Sequence, residues 1–101
     1  MSVDGEWRLL AHTPRGDLEW SLSISTAGDT FTGTLTITEG VVPVEEGHID
    51  GDRLTWVSHL PRADALRCTG RATVSGDRIS GEVHMGPFGS RSFGGVRTPA
   101  Q

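Results

Sequence analysis

Apolar and polar residues alternate along most of this chain. Leu18, Trp20, Leu22 and Ile24 alternate with Glu19, Ser21, Ser23 and Ser25. Phe31, Gly33, Leu35 and Ile37 alternate with Thr30, Thr32, Thr34, Thr36 and Thr38. The same beat runs through Leu54, Trp56, Ser58 and Leu60, and again through Ile79, Gly81, Val83 and Met85. A period of two sends successive side chains to opposite faces of a strand, and one dry face with one wet face marks antiparallel sheet. No stretch of 10 or more residues carries a helical stripe.

Turn signals fall near residues 16, 28, 40, 51, 62, 76 and 87, at intervals of 11 to 14 residues. They cut the chain into eight short strands, the rhythm of a barrel or sandwich. Three of the turns repeat a Gly-Asp pair: Gly28-Asp29, Gly51-Asp52 and Gly76-Asp77. Uniformly short connections favour a meander over Greek-key crossings. A meander of eight strands exposes two edges unless the sheet closes. The predicted fold is therefore all-β, an eight-stranded antiparallel up-and-down meander barrel; a Greek-key sandwich is the alternative. Gly33, Gly70, Gly81 and Gly95 stand where strands would carry inward side chains. They suit the sharp coiling of a small barrel, or else mark bulges.

The 101 residues are read as one domain spanning 1–101. A charge of −4 is spread over the whole chain with no basic patch, so nucleic acid is not an expected partner. No apolar run approaches 18 residues and no secretory leader is visible, which points to a soluble cytoplasmic protein with no membrane partner. A single cysteine, Cys68, excludes an internal disulfide and a multi-cysteine zinc site. All nine basic residues are arginines and there is no tyrosine, which removes lysine Schiff-base chemistry and phenolic acids. No cofactor and no metal are expected.

Gly5-Glu6-Trp7 on the first strand resembles the Gly-x-Trp signature of the calycins, the lipocalins, fatty-acid-binding proteins and avidins. Arg97 on the last strand matches the basic residue that calycins set across that tryptophan. The run from Gly28 to Thr34 is similar to the third strand of avidins. The whole chain also resembles a widespread bacterial family of roughly 100-residue barrels of unassigned function. Its pattern here is Asp50-Gly51-Asp52, Trp56, Thr69-Gly70, Gly76-Asp77 to Gly81, Phe88-Gly89 to Phe93, and Arg97. Avidins surround biotin with Asn, Ser and Tyr side chains. This chain has neither Asn nor Tyr, and Leu9 stands in the region of the first-strand Asn. The resemblance thus implies a scaffold and carries no ligand.

On that scaffold Trp7 enters at a closed end. The three Gly-Asp turns fall at the same end, and the looser turns Thr13–Gly16, Glu39-Gly40, Leu60–Asp64 and Met85–Phe88 form the opposite rim. Any site is expected at that rim or below it. Inward parity picks out Trp20, Trp56, Ser58, Cys68 and Met85, with Phe88 and Arg91 near the mouth. These seven are the expected ligand-binding residues. Tryptophans offer up to about 250 Å² of apolar area each, and Ser58 and Arg91 would supply polar handles. The interior glycines are read as leaving volume for a ligand; a lumen filled by side chains is the alternative.

Glu46 and His48 share the parity of Val42 and Val44, so an inward carboxylate and imidazole are candidates for acid–base work, as is Arg91. Solvent-facing positions with Ile49 inward are the alternative. His12, His59 and His84 gather near the rim, but on separate strands and with outward parity. Cys68 is either a nucleophile or a small buried hydrophobe, and Arg15-Gly16-Asp17 is read as a turn. The leading expectation is binding of a small, mostly apolar molecule in the lumen by a monomer or homodimer. The alternatives are a cofactor-free isomerase, cyclase or lyase in the same cavity, and a structural or interaction domain with a filled core.

Overall fold

Alternation becomes architecture strand by strand in the computed structural model, which describes residues 3–38, 40–60 and 66–98. The strands are β1 (Gly5–Thr13), β2 (Gly16–Ala27), β3 (Thr30–Ile37), β4 (Gly40–Asp50), β5 (Arg53–His59), β6 (Arg67–Ser75), β7 (Arg78–His84) and β8 (Ser90–Arg97). One 3-10 turn, Gly86–Phe88, joins β7 to β8. Each strand pairs antiparallel with the next, and β8 returns to β1 from Trp7↔Arg97 to Ala11↔Phe93. The sheet is a closed up-and-down barrel. Closure satisfies both would-be edges, so no row of backbone groups is left for another chain to pair with.

The Gly-Asp repeat builds the closed end. Each Gly is the first central residue of a two-residue hairpin, with φ of 67° at Gly28, 64° at Gly51 and 61° at Gly76. That left-handed first position is the mark of a type II′ turn, whose twist matches the flanking strands. The Asp carbonyl of each turn then accepts a hydrogen bond from the next even strand. Ile49 donates to Asp29 (2.7 Å), Val74 to Asp52 (2.8 Å) and Arg97 to Asp77 (2.8 Å). The fourth link of this ring uses a side chain, with Thr26 N–H donating to the Asp4 carboxylate at 2.6 Å. The repeat is thus a set of clamps that ties each hairpin to its neighbour.

Two side chains finish this end. The Arg97 guanidinium carbon lies 4.5 Å from the centroid of the Trp7 ring. Its Nε donates to Asp77 Oδ1 at 3.0 Å, Nη1 to the Asp4 carbonyl at 2.5 Å and Nη2 to the Gly76 carbonyl at 3.3 Å. Trp7 is fully buried, and its Nε1 donates to the Val3 carbonyl at 3.1 Å.

Above the plug the lower lumen is solid. Leu9, Leu22, Ile24, Leu54, Ala72, Val74 and Ile79 fill it. Phe31 meets Trp56 edge-on with centroids 6.3 Å apart, and Phe93 meets Trp56 at the same separation. Aromatic pairs of this kind add about 0.5–1.5 kcal/mol each beyond their buried area. The interior glycines do not leave empty space, contrary to expectation. A Cβ at Gly33, Gly81 or Gly95 would lie 1.8 to 2.1 Å from a backbone carbonyl oxygen of the adjoining strand, and one at Gly70 would enter the Trp56 ring. These glycines permit close strand approach and tight coiling, and neighbouring atoms already use the room.

One strand departs from strict alternation. Between Glu45 and His48 the register of β4 slips, and Glu46 takes a left-handed φ of 50°. This bulge inserts a residue and reverses the parity that follows. Gly47 and Ile49 turn inward, while Glu46 and His48 are exposed. The solvent-facing alternative with Ile49 inward is the one the structure adopts, and the inward candidate pair Glu46 and His48 is corrected.

Candidate functional site

The open half of the lumen begins one residue pair above Trp56. In the β5–β6 ladder Trp56 faces Gly70, and the next inward pair toward the rim is Ser58↔Cys68. From that layer upward the barrel holds a space of about 400 Å³. Trp20, Leu35, Ile37, Leu60, Val83 and Met85 form apolar walls, Ser58 and Cys68 the lower polar wall, and Arg91 part of the upper wall. Thr13, Pro14 and Arg15 of the β1–β2 turn and Leu18 complete the mouth. Residues 61–65 and Glu39, which belong to two of the expected rim turns, lie outside the described residues.

Among the described residues Ser58 is the one buried polar residue in the core, 1 % exposed, and its hydroxyl makes no hydrogen bond to a described residue. The buried side-chain polar atom left without a partner among the described residues is Trp56 Nε1, one layer below; a hydroxyl with no protein partner that borders a cavity can be met by water or by a ligand. Here the hydroxyl lies on the wall of a cavity. Cys68 beside it is a free thiol, buried at 1 % exposure, and its Sγ lies 3.8 Å from the Leu66 carbonyl. Burial pushes the thiol up from its ordinary value of 9.0 by penalising the thiolate. At neutral pH Cys68 is therefore a small neutral wall residue and a poor nucleophile. Arg91 is half-buried, and among the described residues its guanidinium makes a single hydrogen bond, from Nη1 to the Ser90 carbonyl at 3.1 Å.

Of the seven expected ligand-binding residues, the cavity brings together Trp20, Ser58, Cys68, Met85 and Arg91. Trp56 does not line it; its indole is committed to Gly70, Phe31 and Phe93 beneath. Phe88 does not line it either. The 3-10 turn carries Phe88 outward, where it is 48 % exposed. Arg15 at the mouth was not among the expected residues. It stands in the β1–β2 turn, whose residues Thr13, Pro14 and Arg15 line the same space as Arg91.

No carboxylate or imidazole lines this space among the described residues. The ionisable groups gather outside instead. Glu46, His48, Arg71, Glu82 and His84 border a groove of about 510 Å³ on the outer face of β4 to β7. Within it Arg71 already bonds Glu82, through Nε at 3.0 Å. The rim histidines are dispersed, each with its own outward partner. His12 bonds Asp17, His59 bonds Glu45 and His84 bonds Ser90, at 2.9, 2.9 and 3.0 Å.

Fold and site together define a small closed β-barrel, plugged at one end and holding an apolar-walled space toward the other. No family model matches the sequence, and no curated protein matches it. Among solved structures it is similar to a redesigned β-barrel, mFAP1, determined bound to DFHBI. The likeness has a TM-score of 0.65 over 95% of this chain and 94% of that one, at 12% sequence identity. At that identity the shared property is the fold. No helix among the described residues is long and apolar enough to cross a membrane.

Proposed function

We propose that this protein binds a small, mostly apolar molecule in the upper half of its lumen. The observation that carries the reading is the apolar-walled space of about 400 Å³, with the side chain of Ser58, which has no hydrogen bond to a described residue, on its wall. Ligand pockets commonly measure roughly 300–1,000 Å³ and combine apolar walls with a few placed polar groups. Trp20 and Met85 supply a flat face and an adaptable one, and Ser58 and Arg91 supply the polar handles. The similar barrel mFAP1, determined with DFHBI, supports the capacity of such a scaffold to hold a ligand. The Trp7–Arg97 pair at the closed end supports reading the scaffold as calycin-like. A free buried Cys68 is in keeping with a reducing, cytoplasmic setting.

Titration of intrinsic tryptophan fluorescence with a panel of apolar ligands tests this reading. Saturable quenching that disappears when Val83→Trp fills the lumen supports it. Absence of any response across the panel, together with no co-purifying ligand in native mass spectra, contradicts it.

A further inference from the structure

The lumen has a charge polarity that its apolar walls conceal. The chain as a whole is acidic, with 13 Asp and Glu against nine Arg. Yet among the described residues that line the cavity there is no acid, and the charged groups are Arg15 and Arg91. Both line the same space, Arg91 paired with the wall residue Val83 across the β7–β8 ladder and Arg15 in the β1–β2 turn at the mouth.

Arg91 and Arg97 are the two arginines that the described structure half-buries, and they are treated differently. Arg97 is completed by the Asp77 carboxylate, the Trp7 face and two backbone carbonyls. Arg91 has one backbone carbonyl and no carboxylate among the described residues. A guanidinium carries five N–H donors in a fixed fork, and holding it partly out of water is costly unless those donors are met. The fold therefore completes one half-buried arginine and leaves the other open toward the cavity.

We propose that the ligand is an apolar organic anion, its acidic group at the rim on Arg91 and Arg15 and its apolar body below against Trp20, Leu35 and Val83. The inference rests on the luminal binding proposed above and adds the chemical class and orientation of the ligand. A carboxylate or sulfonate would accept the paired N–H groups of Arg91, and Ser58 would meet a neutral polar atom at the deep end. None of the described wall residues is an acid that would oppose an anion there.

Two dyes with one ring skeleton separate this proposal from its foundation. 8-Anilinonaphthalene-1-sulfonate carries the anion, and N-phenyl-1-naphthylamine is the same framework without it. At low salt the sulfonate should bind roughly tenfold or more tightly than the neutral dye, the scale of a charge-assisted hydrogen bond. Arg91→Gln should remove most of that advantage and leave the neutral dye within about twofold, with Arg15→Gln acting in the same direction but less, since exposed charges are screened. Arg91→Lys should restore part of it, because charge returns without the fork. Equal binding of both dyes, or an Arg91→Gln variant that weakens both alike, overturns the anion proposal and leaves luminal binding standing. Binding of neither dye overturns both. Dye binding that survives Val83→Trp is not luminal and also overturns the proposal.

Discussion

The indole of Trp56 occupies the place that a side chain at Gly70 would need: a Cβ built there would lie 2.1 Å from the ring's Cε2. The two residues face each other across β5 and β6, directly below the Ser58↔Cys68 layer that lines the cavity. This pair sets the boundary between the filled and the open half of the barrel. Gly70→Ala should therefore destabilise the protein by about 1–3 kcal/mol, the usual cost of overpacking. Gly94→Ala is the matched control. Its Cβ would meet nothing closer than the Ile79 carbonyl at 3.9 Å, and its stability should stay within about 0.5 kcal/mol of the parent. Urea unfolding of the two variants measures both values.

Arg97 should matter for stability and not for binding. Arg97→Ala removes a cation from the Trp7 face and the hydrogen bonds to Asp77, Asp4 and Gly76 from the closed end. A loss of about 2 kcal/mol is expected, with Arg97→Lys intermediate because lysine lacks the planar fork. Dye affinity in the lumen should be unchanged, which a parallel titration checks.

Alkaline titration isolates Cys68. With no lysine and no tyrosine, it is the one side chain whose ordinary range lies between the histidines and the arginines. Burial raises the folded thiol above its ordinary 9.0. As pH climbs past that value the unfolded chain loses the proton first, while the folded chain still holds it. The unfolded state then binds fewer protons, so stability falls with rising pH from about 9 upward, by at most about 1.4 kcal/mol per pH unit. Below that range the thiol contributes no slope. Cys68→Ala should flatten the alkaline limb in denaturation midpoints measured between pH 8 and about 11. An identical slope in the variant rules out the thiol as its source.

The β4 bulge offers a stabilising change. Glu46 holds a left-handed φ of 50° that disfavours a side chain, and it is exposed. Glu46→Gly should raise stability by roughly 0.5–1 kcal/mol as that strain is relieved, part of the gain being offset by glycine's greater freedom when unfolded. Thermal unfolding reads the change. Because the structure sets Glu46 and His48 on the outer surface, Glu46→Gly and His48→Gln should leave luminal dye binding within error of the parent.

The barrel was legible because its cause is local. Alternation along β2, β3, β5 and β7 and evenly spaced Gly-Asp hairpins dictate strands, their faces and their order. The pattern left Glu46 and His48 between two faces because a bulge adds one residue with no change in residue type that marks it; Gly47, pressed against Phe31, is the nearest signal. The site was partly legible. Parity places Trp20, Ser58, Cys68, Met85 and Arg91 on the cavity wall. It could not show that Trp56 folds over Gly70, since that depends on cross-strand register. Nor could it show that the Gly86–Phe88 turn carries Phe88 outward, or that Arg15 stands at the mouth. The interior glycines misled for a related reason: a missing side chain leaves a cavity only where no neighbour moves in.

Luminal binding is tested most directly by a crystal structure of the protein grown with 1-bromonaphthalene, the bromine being located by its anomalous signal. The expected result is one bromine peak inside the barrel, above Trp56 and between Trp20, Ser58 and Met85. A lumen closed by Trp20 and Met85 side chains, with no bromine within it, would contradict luminal binding.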